Sequence, residues 1–338
     1  MRRLLKHFKY QLEHFLVMIN LESMESKVFK PVNTKLYKTG QTRGADDDVI
    51  YQNRVKRNST VLIPYSEYEQ CKSAPTQNGK YENGFIVLIK PEDFFKEGTE
   101  AELKEKGLKL GKNLLVFYET REQYNNFAIK PSWKPAKSRI SPLGGQYVAR
   151  IPATTEKDHD KIIEGFNSSE LKGAGIRVYE YADDATISAC KIQLEFLFWS
   201  CYDIEDFLKA CSEEEATKLR ARKLKVVTDA AVMGLADMKK LQEERIVNEK
   251  GNTICPLCLK PISALEFASK MEQIKGREVP DLTVTNISLF HIHELRSGEF
   301  NHRTYNLGWG HHHCNVTVAD MGVQGTLEWM KEVLKANK

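Results

Sequence analysis

The chain has 338 residues, 41% of them hydrophobic and 28% charged, and no apolar run nears the roughly 20 residues of a bilayer-spanning helix, which sets membrane readings aside. That length accommodates two or three domains, each able to bury its own core without disulfides. A net charge of +4 permits a nucleic-acid partner without requiring one.

The first stretch, MRRLLKHFKYQLEHFLVMIN, is basic and then apolar, as a leader would be. Glu13 interrupts it, however, and no small-residue cleavage site follows. Leu4, Phe8, Leu12, Phe15 and Met18 or Ile19 share one helical face, which predicts an amphipathic helix. From about residue 58 to 181 the runs STVLIPY, GFIVLIK, NLLVFYE, YVARIPA and IRVYEYA predict short strands between polar turns, hence an α+β or mostly β domain. Within it, PSWKPAKSRISPLGGQ reads as a surface loop carrying Lys134, Lys137 and Arg139. Apolar density rises through CKIQLEFLFWSCYDIEDFL. The charged, proline-free stretch from Ser212 to Lys250 then predicts a helical connector, whose Arg220, Arg222, Lys223 and Lys225 either pair with acidic neighbours or approach a phosphate backbone. Composition changes sharply at Gly251, giving expected divisions at 1–210, 211–250 and 251–338.

Of the seven cysteines, Cys71, Cys190, Cys201 and Cys211 lack paired spacing, which points to a reducing compartment, the cytoplasm, rather than a disulfide framework. The other three belong to a pattern. Cys255-Pro-Leu-Cys258 is a C-x-x-C knuckle, and His311-His312-His313-Cys314 repeats the two-residue spacing as H-x-x-C, so Cys255, Cys258, His311 and Cys314 form a closed Cys3His set suited to structural zinc. His312 or His313 is an alternative fourth ligand. Six of the nine histidines fall between positions 291 and 313, a clustering that calls for a chemical reason.

Between the half-sites, the order His291-Ile292-His293-Glu294-Leu295-Arg296-Ser297-Gly298, then Asn306-Leu307, then His311-x-x-Cys314-Asn315 resembles the HNH, or ββα-metal, nuclease family over roughly residues 251 to 325. The resemblance implies a zinc-stapled nuclease domain in which His291 is the general base, Asn306 fixes the loop geometry, and Asn315 binds a catalytic divalent metal, Mg²⁺ or another. A neutral imidazole suits proton abstraction near pH 7, and a divalent ion suits stabilisation of a phosphodiester's developing charge. This chain departs from the family at Phe290, where a metal ligand usually precedes the base. His293 or Glu294 is expected to replace it; otherwise Asn315 and the substrate phosphate hold the metal, or the site is inactive. Arg296, His302 and Arg303 lie where a nuclease meets the DNA backbone, and Trp309 reads as packing beside the zinc.

The expected class is therefore α+β: an N-terminal DNA-recognition domain, a helical connector and a C-terminal HNH domain. The layout resembles type II restriction endonucleases, particularly the type IIS arrangement. It implies double-stranded DNA as partner, a homodimer on DNA and a methyltransferase acting on the same site. A homing or modification-dependent endonuclease, a non-catalytic zinc DNA-binding protein derived from a nuclease and a zinc-stabilised interaction domain are the alternatives.

Overall fold

A computed structural model describes residues 56–137, 143–151, 162–164, 175–267, 272–274, 277–278, 285–319 and 321–338. The amphipathic helix expected at the N-terminus and Arg139 lie outside these residues.

The first half is built on six strands: β1 (Val61–Pro64), β2 (Phe85–Ile89), β3 (Leu114–Tyr118), β4 (Tyr147–Ile151), β5 (Ile162–Glu164) and β6 (Ile176–Arg177). They form one sheet in the order β5-β4-β3-β2-β1-β6. Every pairing is parallel except β4 with β5. Short helices, α1 (Tyr68–Cys71), α2 (Pro91–Phe94), α3 (Thr99–Glu105) and α4 (Arg121–Asn126), occupy the connections. The arrangement is thus α/β, with a mainly parallel sheet, rather than the α+β expected from the sequence. The reason is visible in the strands: β3 is buried at all five positions and β2 at four, because both faces of the sheet are covered. Val61, Ile63, Val87, Ile89, Leu114 and Val116 pack on one face with Phe94, Leu103 and Tyr181. Leu62, Ile86, Leu88, Leu115 and Phe117 pack on the other with Ala136 and Leu143. Ala136 and Leu143 come from the segment read as a surface loop. It is anchored where the Ala136 amide donates to the Tyr147 carbonyl at 2.8 Å, and Gly145 lies so close to Pro135 that an added Cβ would sit 2.3 Å from its carbonyl carbon.

The second half is organised around α5 (Asp184–Trp199), begun by Asp183, whose carboxylate accepts from the Thr186 amide at 2.7 Å. From Gln193 to Trp199 every residue is buried, so this helix is surrounded rather than lying on a surface. Around it pack α6 (Ile204–Lys209), α7 (Glu213–Val232) and α8 (Met238–Glu243). So do the knuckle at Cys255 and a two-stranded antiparallel hairpin, β9 (Ile287–His291) with β10 (Leu307–His311). The hairpin runs directly into α9 (His312–Val318) and then α10 (Gly322–Ala336). A further antiparallel pair, β7 (Glu272–Ile274) and β8 (Arg277–Glu278), lies between knuckle and hairpin in the chain. The helices within the connector expected at 211–250 thus contribute Leu219, Val226, Ala230 and Leu241 to the same core as Cys255, Phe290 and Trp309. Trp309 is fully buried, its ring edge-on to Phe267 at 4.9 Å and its Nε1–H donating to the Leu194 carbonyl at 2.8 Å. Gln193 makes a second tie, donating to the Leu235 carbonyl at 2.9 Å and accepting from the Tyr305 amide at 2.7 Å.

One cation of the α7 helix is committed within this core. Arg222 donates from Nε and Nη2 to the two oxygens of Glu195, both at 2.7 Å, and the Glu195 side chain is only 4% exposed. Among the described residues no helix is long and apolar enough to cross a membrane. Arg222→Ala strands a buried carboxylate and is expected to destabilise the protein by about 3 kcal/mol. Lys218→Ala, which removes an exposed pair with Glu214, should cost less than about 0.5 kcal/mol. Urea unfolding of the two variants side by side checks the contrast.

Candidate metal centre and active site

The knuckle is shaped by its backbone before any ion is considered. Cys255 donates its amide to the Lys260 carbonyl at 2.9 Å and receives the Leu259 amide on its own carbonyl at 2.8 Å, with Leu259 at a positive φ of 59° to close the turn. The amides of Leu257, Cys258 and His311 point at the Cys255 sulfur. Opposite, His311 ends β10 and Cys314 lies just inside α9. The ligand atoms of Cys255, Cys258, His311 and Cys314 all fall within 4.8 Å of one another, with Cys258 Sγ 3.3 Å from His311 Nδ1. Ligand atoms around a tetrahedral zinc sit roughly 3.5–3.8 Å apart, so the four side chains fit such an ion. Of the three adjacent histidines it is His311 that joins the group; His313 is exposed and stacks on the His311 ring at 5.5 Å. Burial raises the Cys255 and Cys314 thiols, and Cys314 is raised further by the neighbouring sulfurs, a crowding that a divalent cation would relieve.

His291 ends β9 and pairs with Leu307. It is half-buried, and its Nε2 lies 3.1 Å from Nδ1 of His302, which is buried. Burial, followed by the charge of Arg57, pushes the His291 imidazole down from its ordinary 6.5 to about 3; the same two causes, then His291 itself, take His302 well below its usual value. Both rings are therefore neutral at physiological pH. Arg57 comes from the first half of the chain, is itself buried, and donates from Nη1 to the Glu180 carbonyl at 3.2 Å.

Asn306 staples the loop that follows. Its Oδ1 accepts from the His293 amide at 2.6 Å, and its Nδ2 donates to the carbonyls of His293 at 3.2 Å and Asn301 at 2.7 Å. Phe290 is fully buried in the hydrophobic core and fits because position 310 is glycine: a Cβ there would lie 2.3 Å from the Phe290 ring. No ligand atom is supplied from this position. His293 lies beyond the end of the strand, is exposed, and meets Glu244 at 2.9 Å. The Glu294 carboxylate accepts from Nε and Nη2 of Arg296, both at 2.6 Å. Arg296 and Arg303 are exposed, whereas His302, which the sequence places among candidate DNA contacts, is drawn inside by His291. Asn315 is half-buried on α9, its side chain without a hydrogen-bond partner among the described residues.

Sequence spacing finds the four-ligand group. It gives no sign of Glu244, which is 49 positions from His293, nor of the nearness of Arg57 to His291 and His302.

Over residues 34–312 the chain matches the model of the BstXI restriction endonuclease family, and it belongs to that family. The match takes in Cys255, Cys258, His291, Asn306 and His311 and stops short of Cys314 and Asn315. Among solved structures, one similar chain is described as the crystal structure of a type II restriction endonuclease, at 16% identity and a TM-score of 0.27, covering 48% of this chain and 58% of that one. The chain thus spans less than two thirds of that protein's length. None of the curated proteins matches it.

The four-ligand geometry predicts that the purified chain carries about one tightly held transition-metal ion. Cys314→Ser should lose it and melt on the order of 10 °C lower. Elemental analysis and thermal melting of the two proteins check this.

Proposed function

We propose that the chain is a type II restriction endonuclease whose phosphodiester hydrolysis is carried out by an HNH-type module made of β9, β10 and α9, with zinc in the Cys3His group. Family membership supports the wider statement, a sequence-specific DNA endonuclease. The observation that carries the narrower one is the placing of His291. It stands at the last position of β9, in a hairpin that leads straight into α9 and is tied at its other end by the four metal-type ligands.

In this reading His291 takes the proton of the attacking water. Burial and Arg57 keep the imidazole neutral but weaken it as a base, and the negative charge of an arriving DNA phosphate would restore proton affinity at the moment of use. Asn306 holds the loop after the base. A divalent ion such as Mg²⁺ would supply Lewis-acid stabilisation at the scissile phosphate and leaving oxygen. The donors suited to a hard cation are the amide oxygen of Asn315, without a partner among the described residues, and either Glu294 or His293 with its Glu244 partner, in place of a ligand at Phe290. Arg296 and Arg303, both exposed, are the residues we assign to backbone contact, and Arg57 adds positive charge beside the base.

The first half, with its parallel sheet, is the part we assign to reading the DNA, and we place the working division near Asp183, where α5 begins. Recognition by one unit and cleavage by the other is the type IIS layout. Cutting both strands then calls for two copies on DNA, and protection of the host cytoplasm's own DNA calls for a methyltransferase of the same specificity.

Incubation of the full chain with long unmethylated DNA and Mg²⁺ should give discrete fragments, and His291→Ala should cut about 10²–10⁴-fold more slowly while keeping its bound metal. Equal cutting by both proteins would move the base elsewhere. No cutting by the wild type across several divalent metals and methylation states would favour the non-catalytic zinc DNA-binding reading to which the burial of Phe290 points.

A further inference from the structure

Neutral imidazole carries a single N–H, on one nitrogen or the other. Between His291 Nε2 and His302 Nδ1, 3.1 Å apart, there is room for one hydrogen. Two arrangements follow, and they differ in chemical consequence. If His291 donates from Nε2, its Nδ1 keeps a lone pair and can take a proton from water. If His302 donates from Nδ1, then His291 accepts on Nε2 and carries its own hydrogen on Nδ1, leaving neither nitrogen open to water. The hydrogen bond to the second histidine therefore decides whether the first can act as a base.

We propose that His302 is a positioning residue of the nuclease site, accepting the Nε2–H of His291 and so holding it in the tautomer whose Nδ1 keeps its lone pair. The proposal rests on the reading of His291 as general base. It adds the residue that makes that reading chemically possible.

The placing of His302 is well defined by its surroundings. It sits in the loop joining β9 to β10, whose two ends are closed by the Asn306 network and by the Ile292 amide donating to the Asn306 carbonyl at 3.1 Å. Asn301, just before it, donates to the Glu294 carbonyl at 2.8 Å and to the Glu299 carboxylate at 2.6 Å. The tip of the loop is held from outside by the parallel-sheet half: the Ser297 hydroxyl donates to the Glu67 carboxylate, and the Phe300 ring meets Tyr81 and Tyr181, each at 6.4 Å. Gly298, at a positive φ of 84°, rests on the backbone of Gln70. The His302 ring is thus presented to His291 from a backbone fixed on both sides, and its burial excludes the role of a free phosphate contact.

Two measurements test this. In ¹⁵N-histidine NMR of the full wild-type chain, His291 should be protonated on Nε2 and bare on Nδ1; protonation on Nδ1 overturns the proposal without any variant having to fold. In cleavage assays, His302→Leu should lower kcat about 10²-fold with KM unchanged, and His302→Asn, which returns an acceptor near the Nδ1 position, should restore most of the loss. A wild-type kcat in His302→Leu, or an equal loss in His302→Asn, overturns it. If His291→Ala itself cuts at the wild-type rate, the base assignment fails instead, and the proposal falls with it.

Discussion

The C-terminal half depends on four side chains brought to one point: Cys255 and Cys258 from a knuckle, His311 from the end of a strand, Cys314 from the helix that follows. This convergence fixes one end of a hairpin only five residues long, where His311 faces Ile287. At the other end of the same ladder His291 faces Leu307. Four residue steps separate the two ends, about 13 Å at the rise of an antiparallel strand. The metal-type group is thus too far from the imidazole to share its chemistry, and what it supplies is alignment. The Asn306 network does the corresponding work at the end where the imidazole stands.

Two cations held against buried partners illustrate how local composition misleads. Arg222 belongs to a charged, helix-prone stretch and reads as solvated or phosphate-facing, yet it neutralises a carboxylate sealed inside α5. Arg57 ends the basic run RVKR, yet it lies near two buried imidazoles and adds to the burial that holds both below their ordinary range. In each case the partner is distant in sequence, and burial of the partner decides the role.

What was legible in the sequence is what depends on short spacing. The C-x-x-C and H-x-x-C pairs, the rise in apolar density before Trp199 and the strand runs around Ile63, Val87 and Val116 all have counterparts in the structure. The direction of those strands was missed, although β3 carries the signal: an unbroken apolar run such as LLVFY marks a strand covered on both faces, which a mixed or antiparallel sheet open to water would not need. Phe290 was legible as a departure but not as a core residue, because the space it fills exists only through Gly310 on the facing strand. The pairing of His291 with His302 and of His293 with Glu244 could not be read at all, since each depends on loops closing in three dimensions.

The loop between β9 and β10 also bears on how this protein can be taken apart. Small metal-stapled modules are often thought of as cassettes, carried from one protein to another with their chemistry intact. Here the loop beside the imidazole is folded against residues of a different sheet, with Ser297 on Glu67 and Phe300 against Tyr81 and Tyr181. A transplant of the C-terminal half would carry its metal-type ligands and its hairpin but leave behind the surface that shapes the loop. A graft of the C-terminal half onto another protein therefore has to bring a replacement for that surface, and the covalent boundary between the halves is not the boundary of the structural unit around His291.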